Sequence, residues 1–94
     1  MPTLRFSRDA RADLKEISRF IARDKPVAAR KWVERIKAKC RLVASQPGLG
    51  EIREDLGEGV HATIVGTYVV FYRVTGRNLE ISRIIRGDRD IRSV

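Results

Sequence analysis

Three arginines recur at intervals of three residues where the last apolar run of the chain ends. They are Arg83, Arg86 and Arg89, and Arg73 lies in the preceding apolar run. A guanidinium group binds carboxylate or phosphate oxygens through paired hydrogen bonds, but its pKa, above about 12, prevents it from exchanging protons near neutral pH. These side chains can therefore bind an anionic partner or stabilise negative charge, and they cannot act as general acids or bases.

Few groups near these arginines could transfer a proton. Metal-free RNA cleavage by a 2′-hydroxyl group needs a base, an acid and a group that stabilises the developing charge. His61 is the one histidine, no lysine follows Lys39, and neither Tyr nor His follows Arg83. If the chain cleaves RNA, the candidate catalytic residues are His61, Tyr72, Arg73 and Arg83. The residue types favour the alternative, a protein that acts by binding and has no catalytic residues.

The candidate partner-binding residues combine these arginines with the single tryptophan: Arg73, Arg83, Arg86, Arg89 and Trp32. Tryptophan and arginine are favoured where a few side chains carry most of the binding energy of an interface. A structural alternative stays open for each of them. The arginines could form ion pairs with Glu80, Asp88 and Asp90, and Trp32 could pack over a helical hairpin. We predict neither a metal site nor a cofactor.

The composition predicts one globular domain, residues 1–94, with an anionic partner. The net charge is +8, from 20 Lys and Arg against 12 Asp and Glu, and 43% of the residues are hydrophobic. An acidic protein segment is one candidate partner and nucleic acid is another; direct nucleic-acid binding stays open. Cys40 is the only cysteine, so no internal disulfide can form. Without an apolar run of the about 20 residues that span a bilayer, we expect a cytoplasmic protein with no membrane contact.

The first half of the chain predicts a strand and two helices. "TLRFS" alternates apolar and polar residues, as a strand does, and Ser7 can cap a helix over about 8–23. Pro26 suits the first turn of a second helix over about 26–45, and so short a link makes the two helices an antiparallel hairpin. On the first helix, acidic residues alternate with basic ones opposite the apolar stripe. We interpret most of that side, which includes Asp13, as solvated.

The second half predicts an antiparallel meander. "HATIV", "TYVVFYRV" and "LEISRIIR" are rich in β-branched and aromatic residues, and the joints "VGT" and "TGRN" are turns. The run 68–74 is apolar on both faces and is expected to be the central strand, with Arg73 near residues 81–83. "IREDLGEGV" is either a short strand or a loop. The predicted fold is α+β: an N-terminal strand, the helical hairpin, then a three-stranded meander, together forming a small curved sheet.

Four segments, in this order, resemble the ParE branch of the RelE/ParE toxin superfamily of bacterial toxin–antitoxin systems. They are "ARADLKEISRFIARDKPVAARKWVERI", "QPGLGEIREDL", "YVVFYRV" and "ISRIIRGDRDI". The chain departs from the family pattern at His61, where the family often has Arg, and at Arg86, where many members have His before the final Gly.

The resemblance implies a toxin of a type II toxin–antitoxin system that arrests growth and is neutralised by a co-expressed, acidic, ParD-like antitoxin in a hetero-oligomer. ParE-type members are associated with inhibition of DNA gyrase, so gyrase is the expected target. RelE-type members cut mRNA on the ribosome, and a ribosome-dependent mRNA interferase is therefore the alternative. A basic nucleic-acid-binding module without toxicity is the second alternative.

Overall fold

A computed structural model describes residues 3–87, and Asp88, Arg89 and Asp90 lie outside that range. The elements are, in chain order, β1 (Thr3–Phe6), α1 (Arg8–Ala22), α2 (Pro26–Ser45), β2 (Glu51–Ile52), β3 (His61–Val65), β4 (Tyr68–Thr75) and β5 (Asn78–Arg86). Two single 3-10 turns, Pro47–Leu49 and Glu54–Leu56, flank β2. The predicted α+β order of a strand, two helices and a meander is confirmed. Among residues 3–87, no helix combines the length and the apolar character needed to cross a bilayer.

Local chemistry explains where both helices begin. The Ser7 hydroxyl accepts a hydrogen bond from the backbone N–H of Ala10 (3.0 Å) and so caps α1. Lys25, which precedes a proline, has an extended φ of −141°, and Pro26 opens α2, where its missing N–H costs no helical hydrogen bond. Both predicted helices are therefore confirmed to within one residue.

The strands form one five-stranded sheet in the order β1-β5-β4-β3-β2. The N-terminal strand β1 pairs in parallel with β5, and the other neighbours are antiparallel. As predicted, β4 is central, and it is buried or half-buried from Tyr68 to Tyr72, while its last three residues are exposed. The ambiguous segment after residue 51 forms the two-residue strand β2 followed by a 3-10 turn.

The sheet has two different faces. On the inner face, α1 and α2 cover the main core, which includes Ile36 and Cys40 of α2 and Tyr72, Leu79 and Ile81 of the sheet. On the opposite face, which we call the outer face, a smaller cluster forms around Val60, Ala62 and Phe71, with Leu56 packed against it. Successive side chains of a strand point to opposite faces, so Ile64, Val69, Phe71 and Arg73 share the outer face.

The register of the β4–β5 hairpin corrects one expectation. Arg73 lies opposite Glu80 and not beside residues 81–83, because the two-residue turn after Thr75 pairs that residue directly with Asn78. A bulge follows, since Tyr72 pairs with Ile81 while Phe71 pairs with Arg83.

Candidate functional site

Arg83 is held by Asp13 of α1. The Arg83 Nε and Nη2 atoms donate to the two Asp13 carboxylate oxygens at 2.9 and 3.1 Å. The backbone N–H of Ile84 donates to the same carboxylate at 2.9 Å. The hydrogen bonds between the Arg83 guanidinium and the Asp13 carboxylate raise the pKa of Arg83 above its usual value. Arg83 therefore has an ion-pair partner, but it is none of the acidic residues that the sequence suggested.

The interpretation of Asp13 as a solvated residue was wrong. Its side chain is 13% exposed. Strand β1 pairs with residues 78–81 of β5 and then ends. The next backbone groups of β5 on that side, away from β4, have no neighbouring strand. Asp13 supplies the missing acceptor for Ile84. The sequence did carry a signal for this, because Asp13 lies three residues after Ala10 and four before Ile17, both buried, and so belongs on the apolar side of the helix.

His61 and Tyr72 are brought together as neighbours in the β3–β4 pairing. Their rings stack with centroids 5.2 Å apart at an interplanar angle of 18°. The Nδ1 atom of His61 lies 3.1 Å from the Gly59 carbonyl oxygen, a contact that suits the tautomer with its proton on Nδ1. Arg73 follows Tyr72 directly and therefore points to the outer face, away from this pair. The structure thus divides the candidate catalytic residues between two faces of the sheet.

The Tyr72 hydroxyl makes two hydrogen bonds to backbone groups within the fold. It donates to the Pro47 carbonyl oxygen at 2.6 Å and accepts from the Gly50 N–H at 2.9 Å. Tyr72 is fully buried, and desolvation raises its pKa above the usual tyrosine value. A Cβ atom at Gly50 would collide with this hydroxyl, so glycine is needed at that position. Both hydrogen-bonding roles of the phenol are filled, and it has no free proton position for catalysis.

Replacing Tyr72 with phenylalanine is expected to lower the free energy of unfolding by about 1–2 kcal/mol, because it leaves the Gly50 N–H without its acceptor. Urea denaturation followed by circular dichroism measures this. The matched control is Tyr68→Phe, which removes a hydroxyl from the same strand and is expected to cost less. Equal costs in the two variants would contradict a special role for the Tyr72 hydroxyl.

Arg73 lies on the outer face at the loop that precedes β3. Its Nε atom donates to the Glu58 carbonyl oxygen at 3.2 Å. The guanidinium group also covers Gly57, where a Cβ atom would lie 2.6 Å from Nη2. The side chain is exposed, so this contact leaves its charge accessible to a partner.

Trp32 is half-buried on α2 and packs against the β3–β4 turn. Its ring meets the Tyr68 ring edge-on, with centroids 5.5 Å apart, and the Arg35 guanidinium lies 4.4 Å from the centre of the indole. The indole also fills the space beside Gly66, whose φ of +59° favours glycine. Trp32 thus makes packing contacts within the fold, as the structural alternative requires. Its role as a partner anchor stays a prediction.

Among residues 3–87, neither the single thiol nor a cluster of metal-binding side chains offers a further chemical site. Burial raises the pKa of the Cys40 thiol to about 12, so the thiol stays protonated at neutral pH and is a poor nucleophile. Within residues 3–87, no three His, Cys, Asp or Glu side chains are grouped so as to hold a metal ion. Arg86 lies at the exposed end of β5, and Arg89 falls outside the described residues.

Comparison with known proteins decides the family. The family model described as the ParE toxin of the type II toxin–antitoxin system parDE matches residues 4–91. The chain belongs to the ParE toxin family. Toxin ParE1 of Caulobacter vibrioides is 33% identical over 94 residues, which are 99% of this chain and 97% of that protein. Membership makes the chain a toxin of a type II toxin–antitoxin system and implies an antitoxin partner.

Solved structures agree with this assignment. The chromosomal ParDE toxin–antitoxin system from P. aeruginosa contains a chain that superposes on this ParE toxin with a TM-score of 0.80 and 27% identity, over 92% of this chain and 96% of that chain. A YafQ mutant from E. coli superposes with a TM-score of 0.55 and 14% identity, over 92% of this chain and 93% of that chain. The second likeness shows a shared fold and nothing more.

Proposed function

We propose that this ParE toxin arrests growth by binding DNA gyrase, without covalent chemistry of its own. The observation that carries the proposal is the state of the Tyr72 hydroxyl, which is buried with its donor and acceptor roles filled by Pro47 and Gly50. The other proton-transferring candidate, His61, lies flat against that buried ring. Arg83 is already bound by Asp13 and, as a guanidinium, stabilises charge without moving protons.

An acidic segment of a ParD-like antitoxin is the proposed neutralising partner, in a toxin–antitoxin hetero-oligomer. The net charge of +8 favours such a segment. Helix α2 adds to this attraction, since between residues 25 and 41 the sequence has seven basic residues and one acid, Glu34. Charge-assisted contacts of this kind suit a disordered acidic segment that folds as it binds.

Two assays run side by side test the proposed target. Toxin released from its antitoxin is expected to inhibit supercoiling by purified gyrase, and added antitoxin is expected to restore the activity. The same toxin added to translating ribosomes is expected to leave mRNA uncut at the A site. Ribosomal cleavage without gyrase inhibition would overturn the proposal and identify a ribonuclease.

Substitutions of the candidate catalytic residues make this test sharper. Because no proton transfer is proposed, His61→Ala and Tyr72→Phe, each checked for a folded state, are expected to keep gyrase inhibition within about twofold of the unmodified toxin. A loss of at least about tenfold in a folded His61→Ala protein would instead give this side chain a direct role.

A further inference from the structure

The outer face of the sheet carries an apolar row that is exposed at one end. Ile64 of β3 pairs with Val69 of β4, and Val69 pairs with Ile85 of β5, so the three side chains lie side by side across adjacent strands. Ile64 is 67% exposed, and Val69 and Ile85 are half-buried. We call these three residues the outer-face row.

The fold accounts for only part of this row, because Val69 and Ile85 pack against the cluster of buried outer-face residues while Ile64 stays exposed. An antiparallel sheet with helices on one face normally presents polar side chains on the other. The neighbouring row, Ala62 and Phe71, is buried because Val60 and Leu56 pack against it. Among residues 3–87, no element packs over Ile64 in the same way. All three side chains of the row are nevertheless apolar and β-branched. An exposed isoleucine that continues into two half-buried apolar side chains is the kind of surface at which a protein partner can bury further apolar area.

The charges around the row favour an acidic occupant. Arg86 and the turn at Gly66 and Thr67 line a shallow hollow together with Ile64 and Val69. Arg73 is exposed on the same face, farther along β4. A second copy of the chain fits poorly here, because two copies each carrying a net charge of +8 repel one another. A protein surface with apolar side chains ringed by carboxylates complements both the apolar row and the positive charge around it.

We propose that the outer-face row is the surface through which the toxin docks on its protein target, and that the docked region of the target is apolar and ringed by acidic residues. This inference rests on the proposed function, in that the toxin acts by binding a protein. It does not require that the protein be gyrase.

The test compares three single substitutions in cells that express the toxin without its antitoxin. Ile64→Glu is expected to raise the amount of toxin needed for half-maximal growth arrest by at least about tenfold, because it removes apolar contact and adds repulsion toward an acidic target. Ile64→Lys is expected to cost less, because it loses the contact without the repulsion. The matched control is Val27→Glu on α2, whose side chain is 64% exposed, and it is expected to change the required amount by less than about twofold.

Measuring antitoxin binding by the same variant distinguishes a surface that docks on the target from a surface that binds the antitoxin or a second copy of the toxin. Ile64→Glu is expected to bind the antitoxin within about twofold of the unmodified toxin, which also confirms that the variant is folded. Lost antitoxin binding in a variant with an unchanged circular dichroism spectrum would assign the row to the antitoxin and overturn the inference. So would a self-association of the unmodified toxin that Ile64→Glu abolishes, or equal effects of Ile64→Glu and Val27→Glu.

Because the assay measures growth arrest, it tests the docking surface whether or not gyrase is the target. If the unmodified toxin arrests growth but does not inhibit gyrase, the target is wrong, and the difference between Ile64→Glu and Val27→Glu still tests the docking surface. If the toxin inhibits gyrase and Ile64→Glu inhibits it equally well, the proposed function stands and the docking surface is wrong.

Discussion

Replacing Asp13 with alanine is expected to lower the free energy of unfolding by about 3 kcal/mol. The Asp13 carboxylate accepts three hydrogen bonds, two from the Arg83 guanidinium and one from the Ile84 N–H. Without it, a backbone donor at the edge of β5 and a partly buried cation both lose their partner. Urea denaturation of the purified toxin, followed by circular dichroism at neutral pH, measures the change.

A second ion pair in the same molecule provides the control. Arg53 and Asp55 form two hydrogen bonds of 2.9 and 2.8 Å, but they are two residues apart, and the Asp55 side chain is 59% exposed against 13% for Asp13. Arg53→Ala is therefore expected to cost clearly less stability than Asp13→Ala, because ion pairs open to solvent contribute little. If Asp13→Ala costs no more than Arg53→Ala, then the Asp13 carboxylate does not hold α1 against the edge of the sheet.

Replacing Trp32 with alanine is expected to cost about 2–3 kcal/mol of stability, somewhat less than for a fully buried tryptophan. The substitution removes the edge-on contact with Tyr68 and empties the space that the indole fills beside Gly66. It also removes the surface on which the Arg35 guanidinium lies. The same denaturation experiment measures the loss.

Two comparisons distinguish packing from partner binding at this position. Trp32→Phe is expected to recover part of the lost stability, and Val27→Ala, an exposed position on the same helix, is expected to change it by less than about 0.5 kcal/mol. A Trp32→Ala protein of unchanged stability whose antitoxin affinity falls at least about tenfold would make Trp32 a partner anchor and contradict its packing role.

The sequence predicted the elements well because their signals are local. The Ser7 cap, Pro26 and the turns at Gly66 and Gly76 act within a few residues, so the helices and the meander could be placed without knowledge of tertiary contacts. The parallel pairing of β1 with β5 was left open, because it joins segments about 75 residues apart and no local pattern records it. The register of Arg73 was missed for a related reason, since it depends on the number of residues in one turn.

The candidate site was harder to predict because its residues depend on contacts between distant elements. The structural alternative for Arg83 was an ion pair with acidic residues close in sequence, and it meets Asp13 from the other end of the chain. Tyr72 was a candidate acid or base by residue type alone, and its hydroxyl is occupied by a loop more than 20 residues away. The exposure of Ile64 was also hidden, because an alternating strand does not reveal which of its faces a helix will cover.

The parallel pairing of β1 with β5 has a consequence for biosynthesis. The first strand leaves the ribosome early, but its neighbour in the sheet is translated last, and the Ser7 hydroxyl meets its partner, the Ser82 carbonyl oxygen, across 75 positions of sequence. At about 5–20 residues per second, β1 waits for roughly 4–15 s. This edge of the sheet therefore stays incomplete until β5 has been made, and an antitoxin already present in the cell can meet the toxin as it folds.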